Sequence, residues 1–566
     1  MKYQVWAPAA GRVEVEVDGL STPLTAGPGG WWRGEAPAGQ DYGFRLDGAG
    51  ALPDPRSARQ PYGPDGLSRL VDHAAFRWSD CDWHGRALPG AVLYELHVGT
   101  FTPAGTFAGA EQKLDHLVEL GVDFVQLLPV CPFPGRHGWG YDGVAPWAVH
   151  EPYGGPEGLK RFVDAAHRKG LGVILDVVHN HLGPSGNHLP AYGPYFTERH
   201  HTPWGAAVNL DAPGSDEVRA YLIGSALAWL RDYRIDGLRL DAVHALVDDR
   251  AVHFLEELAT AVESLAASVN RPLFLIGESD LNNPRVTDPR RLGGYGLNAQ
   301  WSDDFHHALH AAVTGESQGY YADFGRAPLA ALAKTLTRGW FHDGTWSSFR
   351  GRHHGRPFPP EAGAHRLLGY AQTHDQIGNR ALGDRLTTTQ LALAAPLVLT
   401  SPFTPMLFMG EEWGAGTPWQ YFTDHTDPEL AEAVRRGRRR EFTEHGWAAE
   451  QVPDPQAPAT VSRSTLDWSE PRAGEHAELL GWYRRLIRLR REHPALLDPR
   501  LSAVRVDFDE AVAQLTVHRG EFRIAVNFGE KPGEVPAGEV VAHWGELGTG
   551  RLGPRSCVIT REAAGS

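Results

Sequence analysis

Hydrophobic and polar residues alternate with a period of two in the first part of the chain. Val13–Val17 reads Val-Glu-Val-Glu-Val, and Tyr42, Phe44 and Leu46 keep the same spacing, with turns rich in glycine and proline between such stretches. A period of two is typical of β-strands that bury one face. The pattern predicts an N-terminal, immunoglobulin-like β-sandwich over residues 1–88.

From about Ala91 the pattern changes to short apolar runs that alternate with amphipathic stretches of helical length. Such alternation predicts βα units around a parallel sheet. Eight successive runs predict an α/β fold, a (β/α)₈ TIM barrel over residues 89–495. This segment is longer than the ~250 residues typical of such barrels, so we expect long βα loops at one end. The predicted strands are Val92–Leu96, Phe124–Pro129, Gly172–Val178, Gly237–Leu240, Leu273–Gly277, Gly296–Ala299, Leu367–Tyr370 and Met406–Met409.

The end of the barrel region is predicted by an amphipathic helix over Glu475–Glu492. After this helix the chain returns to strand patterns, with alternating or apolar stretches at Val504–Phe508, Val512–Val517 and Phe522–Phe528. Gly-rich turns separate these stretches. The pattern predicts a small C-terminal β-domain over residues 496–566.

Charge and cysteine content exclude several classes of partner. A formal net charge of −15 argues against nucleic acid, which binds basic surfaces. The cysteines, Cys81, Cys131 and Cys557, lie too far apart for a CxxC metal cluster or a disulfide framework, which predicts a reducing compartment. The chain opens on strand-like sequence rather than a signal peptide, and its most apolar stretch, Leu391–Thr400, is too short to span a bilayer. We expect a cytoplasmic protein with no membrane partner; the sequence predicts no oligomeric state.

Polar clusters follow four of the predicted strands. In a (β/α)₈ barrel the reactive groups stand at the C-terminal ends of the strands. The third, fourth, fifth and seventh strands run into such clusters, so we expect their side chains to meet at one end of the barrel. The clusters are Asp176–His181, Gly237–Asp241, Gly277–Asp280 and Gln372–Gln376.

Three carboxylates within these clusters suit the cleavage of a glycosidic bond. This reaction needs an acid for the leaving oxygen and a carboxylate for the oxocarbenium-like carbon. Arg239, two residues before Asp241, points the same way on a strand and would keep that carboxylate ionised. We therefore predict Asp241 as nucleophile, Glu278 as general acid/base and Asp375 as the third carboxylate. The chain also carries 18 Trp, 16 Tyr and 22 Phe, flat rings on which sugars could stack.

Each cluster also has a plain structural interpretation. Asp176 could simply bond backbone amides at a strand end, and we favour that role for it. His179, His181 and His374 could each be core histidines. A catalytic metal would need a ligand spacing such as His-x-x-x-His, which these clusters lack, so we predict no metal ion and no cofactor.

The four clusters, in their order, resemble the four sequence motifs of the α-amylase family of glycoside hydrolases. The resemblance implies that His181 and His374 contact the sugar in subsite −1, and that Asp375 grips its hydroxyls and distorts the ring. Tyr141, within Gly138–Gly143, looks like the tyrosine that stacks under that sugar. Arg239 is similar to the arginine of the second motif.

A narrower resemblance covers almost the whole chain. It is to those members of the family that cleave the α-1,4 bond next to the terminal trehalose of maltooligosyltrehalose and release trehalose. It implies a small oligosaccharide substrate, with the bent trehalose unit in subsites +1 and +2. The motifs that carry it are Pro53–Ser57, Glu278–Asn282, Gln300–His307, His374–Asn379 and Tyr421–His425.

One of these motifs supplies further candidate substrate contacts. The run Trp301–His307 is expected to follow the sixth strand and to lie at the barrel mouth beside Glu278. We expect about half of the run to touch sugar, by stacking or by bonding hydroxyls. The candidates are Trp301, Asp303, Asp304, Phe305 and His306.

Two departures from the wider family pattern and three alternatives remain. Many α-amylases have Lys-His where this chain has His244-Ala245, and the missing histidine helps to hold a structural calcium, which puts calcium binding in doubt. Thr373 stands where many members have Asn.

A glucan branching enzyme or a debranching enzyme would carry the same catalytic residues. A carbohydrate-binding protein without activity would have lost carboxylates that are all present here.

Overall fold

The computed structural model describes residues 1–37, 39–444 and 448–562. The division of the chain into three domains stays a prediction. Its last segment includes four residues that lie outside the described ones. The boundaries predicted from the sequence are 1–88, 89–495 and 496–566.

The N-terminal strands form two antiparallel sheets. One sheet has the strand order β1-β5-β4 and the other β3-β2-β6-β7, and the alternating valines of β2 face inward. A strand-rich N-terminal region is therefore confirmed. The strands are β1 (Lys2–Trp6), β2 (Val13–Val17), β3 (Leu20–Pro23), β4 (Thr25–Ala26), β5 (Trp31–Glu35), β6 (Asp41–Leu46) and β7 (Ser68–Arg69).

Eight parallel strands of the described chain close into a barrel, in the order β8-β9-β10-β13-β14-β15-β18-β19 and back to β8. The predicted TIM barrel is confirmed. Two antiparallel hairpins, β11-β12 and β16-β17, belong to long βα loops. The strands are β8 (Leu93–Leu96), β9 (Phe124–Leu127), β10 (Gly172–Val177), β11 (Phe196–Thr202), β12 (Gly205–Val208), β13 (Gly237–Leu240), β14 (Phe274–Gly277), β15 (Ala299–Trp301), β16 (Thr345–Ser347), β17 (Arg352–His354), β18 (Leu367–Gly369) and β19 (Thr404–Phe408).

Helices surround the barrel and form parts of its loops. The predicted final helix is confirmed almost to the residue as α14, which packs against α11 and α3. The helices are α1 (Val98–Phe101), α2 (Phe107–Glu111), α3 (Leu114–Leu120), α4 (Gly155–Arg168), α5 (Leu189–Tyr192), α6 (Ser215–Asp232), α7 (Phe254–Val269), α8 (Asp303–Thr314), α9 (Pro328–Arg338), α10 (His374–Gly378), α11 (Thr388–Leu399), α12 (Pro428–Glu444), α13 (Pro458–Ser464), α14 (Gly474–Glu492) and α15 (Pro494–Leu497).

The barrel interior has an apolar layer and a polar layer. Side chains alternate along a strand, so residues two apart point to the same side. Leu93, Phe124 and Ile174 belong to an apolar cluster inside the barrel, and the residues two positions further along their strands are Glu95, Gln126 and Asp176. The interior therefore becomes polar toward the C-terminal ends of the strands.

A C-terminal region rich in strands follows the barrel. Its larger sheet has the order β20-β21-β22-β27-β24 and its smaller one β23-β26-β25. The predicted strand pattern is thus confirmed. The strands are β20 (Val504–Asp509), β21 (Gln514–Arg519), β22 (Phe522–Asn527), β23 (Gly533–Glu534), β24 (Glu539–Trp544), β25 (Leu547–Gly548), β26 (Arg551–Leu552) and β27 (Ser556–Arg561).

A buried ionic cluster fastens the segment before the barrel to the N-terminal ends of the strands. His167 at the end of α4 has Nδ1 2.7 Å from Asp80 Oδ2 and Nε2 3.0 Å from Asp236 Oδ2. Its ring stacks on Trp83 with 4.6 Å between centroids. Burial alone would lower the pKa of His167, but the bonds with both carboxylates outweigh burial and raise it. The neighbouring Cys81 is exposed.

Among the described residues, no helix is both long enough and apolar enough to cross a membrane.

Candidate active site

The three predicted catalytic carboxylates stand at the C-terminal ends of barrel strands. Asp241 follows β13 directly and Glu278 follows β14. Their amides still pair with the neighbouring strand, since Asp241 N donates to Val177 O over 3.1 Å and Glu278 N donates to Leu240 O over 3.0 Å. Asp375 lies in the short helix α10 beyond β18. Continued strand pairing thus holds two of the three acids at one rim of the barrel.

Arg239 connects the carboxylates of this rim. Its guanidinium is fully buried, with Nη1 2.7 Å from Asp176 Oδ2 and 2.8 Å from Asp241 Oδ1. Nη2 lies 2.9 Å from Glu278 Oε2. One cation therefore contacts three acids from three adjacent strands. Ion pairs raise the pKa of Arg239, so the cation is permanent.

The carboxyl of Glu278 is disposed to hold a proton. Burial raises its pKa well above the usual value, the negative charges of Asp241 and Asp375 raise it further, and Arg239 opposes them. Arg239 and the Ala242 amide, at 2.7 Å, both contact Oε2, which leaves Oε1 to carry the proton. A carboxylic acid kept protonated near neutral pH is what protonation of a leaving group requires.

Asp241 is held at both oxygens. Oδ1 accepts from Arg239, and Oδ2 accepts from Asn180 Nδ2 over 2.7 Å. The next residue, Ala242, has a left-handed backbone with φ of 39°, which is strained for alanine and common at functional sites. This turn brings the Ala242 amide to Glu278. The arrangement fixes the direction of the Asp241 carboxylate.

The residues implied in subsite −1 contact one another beside these acids. The Tyr141 hydroxyl donates to Asp176 Oδ2 over 2.6 Å and lies 2.8 Å from His374 Nε2. His181 Nε2 lies 3.0 Å from the carbonyl oxygen of Tyr141. Asp375 Oδ1 lies 3.5 Å from His374 Nε2, and about a third of the Asp375 side chain is exposed. A partly exposed acid beside a buried histidine and a half-buried tyrosine could together contact one sugar ring.

Comparison with known proteins agrees with this geometry. The alpha amylase catalytic domain family matches residues 73–190, and a family described as "Domain of unknown function (DUF3459)" matches residues 499–559. A malto-oligosyltrehalose trehalohydrolase from Arthrobacter ramosus is 57% identical over 98% of this chain and 97% of its own length. One from Mycobacterium tuberculosis is 54% identical over 96% and 95%. The chain belongs to the malto-oligosyltrehalose trehalohydrolase family. A crystal structure from Salmonella typhimurium, assigned as an alpha amylase, superposes with a TM-score of 0.91 at 37% identity over 99% of this chain and 97% of that one.

The run Trp301–His307 is one of the motifs that this chain shares with the family. It does not form the loop that the sequence predicts. The apolar pattern predicts the sixth strand at Gly296–Ala299, whereas β15 spans Ala299–Trp301. Leu297 is buried and so fits the apolar pattern, but Gly296 has φ of 81°, which no strand adopts. Trp301 is therefore the last residue of the strand. It is buried inside the barrel, with its ring centroid 4.4 Å from Arg239 Cζ.

The rest of that run belongs to α8, whose period of 3.6 residues sends the side chains to different sides. Asp303 stays near the site, because its carboxylate accepts from Tyr370, and burial with nearby acids raises its pKa to about 7. Asp304 instead accepts from Asn282 and from the amides of residues 341 and 342. Phe305 is fully buried against Phe403, and His306 contacts Tyr321. These three side chains are not exposed to a ligand.

Two loop residues that sequence reasoning missed lie against the site. Trp204, in the turn between β11 and β12, stacks on His181 with 4.6 Å between ring centroids and is half-exposed. Arg350, between β16 and β17, donates to Asp280 Oδ2 over 2.7 Å, and its neighbour Phe349 is exposed. Neither loop has a regular hydrophobic pattern. The only sequence signal is aromatic and charged residues in a polar stretch, which is common on surfaces.

A group of possible metal ligands among the described residues lies on β11 and on the loops after β12 and β13. Side-chain atoms of His200, Asp211 and Asp249 all lie within 4.8 Å of one another. The Arg199 guanidinium, however, lies 3.1 Å from Asp249 Oδ2 and supplies a positive charge to the group. The acids thus have a cation already, and the absence of a metal remains a prediction.

Proposed function

We propose that this chain is a retaining glycoside hydrolase that cleaves the α-1,4 bond next to the terminal trehalose of maltooligosyltrehalose and releases trehalose. The observation that carries the proposal is the single guanidinium of Arg239 in contact with both Asp241 and Glu278. The permanent cation of Arg239 keeps Asp241 ionised. Burial keeps Glu278 protonated, so Glu278 is the proton donor. Those are the two states that a retaining mechanism needs at the start.

In this mechanism Asp241 attacks the anomeric carbon of the sugar in subsite −1. Glu278 transfers its proton to the leaving oxygen, and trehalose departs from subsites +1 and +2 with that proton. Water then gives its proton to Glu278 and attacks the covalent glycosyl–enzyme, which frees Asp241. Asp375 binds the ring hydroxyls, because its partly exposed carboxylate lies beside His374 and Tyr141. The remaining glucan leaves with a new α-configured end.

Further contacts follow from where each side chain lies. We assign Tyr141, His181, Arg239 and His374 to the floor of subsite −1. Trp301 acts from beneath, through Arg239, and not as a sugar platform. Among the α8 residues named above, we keep Asp303 as a candidate sugar contact. It lies close enough to Asp375 for the charge of Asp375 to raise the pKa of Asp303.

The leaving-group side should carry the selectivity for trehalose. Asp280 lies two residues after Glu278 and is bonded to Arg350, and the exposed Phe349 lies beside Arg350 and 5.9 Å from Tyr320, centroid to centroid. A flat ring next to an ion pair suits a disaccharide with an apolar face and many hydroxyls. We place the trehalose unit against this group, in subsites +1 and +2.

Product analysis tests the proposal. A trehalose-capped maltooligosaccharide should give free trehalose, and kcat/KM should exceed that for an uncapped chain of equal length by roughly thirty- to two-hundredfold. This ratio is what one or two lost hydroxyl bonds, about 2–3 kcal/mol, would cause. Equal rates on the two substrates would contradict the trehalose selectivity.

The same assay addresses the alternatives. New branch points instead of free trehalose would indicate a branching enzyme, and cleavage restricted to α-1,6 bonds would indicate a debranching enzyme; the names of the relatives favour neither. We also propose a cytoplasmic location, from the dispersed cysteines.

A further inference from the structure

Glu95 is a buried carboxylate that neither the sequence patterns nor the proposed mechanism uses. It lies near the end of β8, inside the barrel, with none of its surface exposed. Oε1 lies 3.0 Å from His374 Nδ1 and accepts from Gln126 Nε2 over 3.2 Å, and Oε2 accepts from the His374 amide over 3.1 Å. The backbone amide can only donate, and Gln126 donates through its Nε2. The carboxylate therefore acts purely as an acceptor, and the ring must present an N–H at Nδ1.

The other ring nitrogen of His374 also has to donate. Nε2 lies 2.8 Å from the Tyr141 hydroxyl. That hydroxyl donates its own hydrogen to Asp176 Oδ2 over 2.6 Å, and Asp176 Oδ2 also accepts from Arg239 over 2.7 Å. The Tyr141 oxygen can then only accept from Nε2. A histidine that donates from both nitrogens is an imidazolium cation.

We propose that Glu95 is a positioning residue that holds His374 as an imidazolium beneath subsite −1, with Nε2–H directed at Tyr141 and Asp375. The assignment rests on the proposed function, in which His374 and Asp375 hold the sugar of that subsite. Glu95 itself touches only His374 and Gln126 within this group and so acts through the histidine.

The charges around His374 explain why the cation matters. Asp375 Oδ1, 3.5 Å from Nε2, would face a lone pair if the ring were neutral with its proton at Nδ1. Burial lowers the pKa of His374, but Asp375 and Glu95 outweigh burial and Arg239, and the pKa rises to about 9. The other groups that face the ring are Tyr141, Asp176 and the neighbouring His97. Loss of the proton would remove the ionic contact that directs Asp375.

Glu95→Gln tests the proposal, because it keeps the shape of the side chain and removes its charge. An opposite charge at this distance changes a pKa by about one to three units. The pKa of the His374 ring, followed through its ¹⁵N signals, should therefore fall by about one to three units in the variant, and kcat should be affected more than KM because Asp375 acts most in the transition state. An unmoved pKa of His374 would overturn the proposal.

Glu412→Gln is the matched control. Glu412 is also a fully buried glutamate bonded to a histidine, with Oε1 2.7 Å from His116 Nε2, but it lies outside the catalytic rim. This variant should lose stability comparably and leave the pKa of His374 in place. If both variants lower the pKa of His374 equally, general loosening of the barrel is the cause, and Glu95 has no specific role.

A direct measurement separates this proposal from the proposed function. In protein labelled with ¹⁵N-histidine, the ring signals that disappear in His374→Asn identify His374. In the wild type both of its nitrogens should stay protonated up to about pH 9. Titration near the ordinary value of about 6.5 would overturn the role of Glu95, even if Glu95→Gln failed to fold. The titration needs no substrate, so it stands whichever glucan the enzyme cleaves.

Discussion

The ring of Trp301 lies over Arg239, with 4.4 Å from the guanidinium carbon to the ring centroid. Both side chains are buried. A desolvated contact between a cation and an indole is worth about 2 kcal/mol, and the cation here touches both acids of the reaction. We therefore expect Trp301 to support the proposed reaction from inside the barrel.

Trp301→Leu should lower kcat by roughly thirtyfold, the rate equivalent of about 2 kcal/mol. Trp301→Phe should lose less, since a ring remains over Arg239. The control is Trp229→Leu, because Trp229 is equally buried in α6 but bonded to the Pro146 carbonyl. Steady-state kinetics and melting temperatures of the three variants decide the matter. A loss in Trp301→Leu no greater than in the control would mean that Trp301 only fills space.

Removal of either acid should abolish turnover without unfolding the protein. Asp241→Asn loses the nucleophile and Glu278→Gln loses the proton donor, so each should reduce kcat by several orders of magnitude while circular dichroism is unchanged.

The stereochemistry of the reaction gives an independent check. For a retaining enzyme the carboxyl groups of Asp241 and Glu278 should lie ~5–5.5 Å apart. Early-time NMR should show the α-anomer at the newly formed end. A β-anomer would contradict the assignment of Asp241 as nucleophile.

Two exposed aromatic residues should affect substrate choice differently. Trp204 stacks on His181, on the subsite −1 side, whereas Phe349 lies beside the Asp280–Arg350 pair near Glu278. Trp204→Ala should raise KM for capped and uncapped oligosaccharides alike. Phe349→Ala should raise KM several-fold for the capped substrate only. Comparison of kcat/KM for matched substrates measures both effects, and a change of the ratio in Trp204→Ala would reverse our placement of the subsites.

The sequence predicts the barrel and its acids well because both depend on local patterns. Fully buried parallel strands read as apolar runs, and a carboxylate at the end of such a run has few other reasons to be there. The apolar pattern predicts a start of the sixth strand at Gly296, three residues before its actual start at Ala299. Leu297 is buried and fits the pattern, but the positive φ of Gly296 is incompatible with a strand. The prediction of Trp301 as a loop residue was therefore wrong, because Trp301 lies inside the barrel.

Residues brought in by tertiary contact were not predictable. Glu95 is hidden in an apolar run, where a charged residue contradicts the pattern instead of following it. Trp204 and Arg350 reach the site on hairpins whose direction depends on packing far along the chain. Rules of local pattern commonly fail at functional sites, and in this chain they fail at these three.

The cluster around His167 predicts a pH-dependent contribution to stability. Its pKa is raised in the folded protein, so the contribution is complete below the unfolded value of about 6.5 and is lost as pH rises through the folded value. The melting temperature of His167→Asn should therefore fall furthest behind the wild type in acid, and the gap should narrow in alkali.

His150→Asn serves as the comparison for that measurement. Burial lowers the pKa of His150 to about 4, so its ring is neutral above about pH 6.5 and its loss should give a constant deficit there. If the deficit of His167→Asn also stayed constant across that range, the ring would not be charged between Asp80 and Asp236.

Chelation should leave the enzyme unchanged. The histidine associated with calcium is missing after Asp241, and Arg199 already balances the acids near His200. Treatment with EDTA should alter neither the melting temperature nor the rate of trehalose release. A drop in melting temperature that Ca²⁺ restores, and that His200→Ala abolishes, would identify that group as a cation site.

The position of Cys81 offers a chemical handle. Its thiol is exposed, whereas the thiols of Cys131 and Cys557 are buried, and burial raises the pKa of each buried thiol to about 12. Cys81 adjoins Asp80 at the N-terminal ends of the strands, opposite the catalytic rim. A maleimide should therefore react with Cys81 alone among the cysteines of the folded protein. Attachment of the enzyme to a bead or an electrode through this thiol would leave the rim facing the solution, open to long glucans.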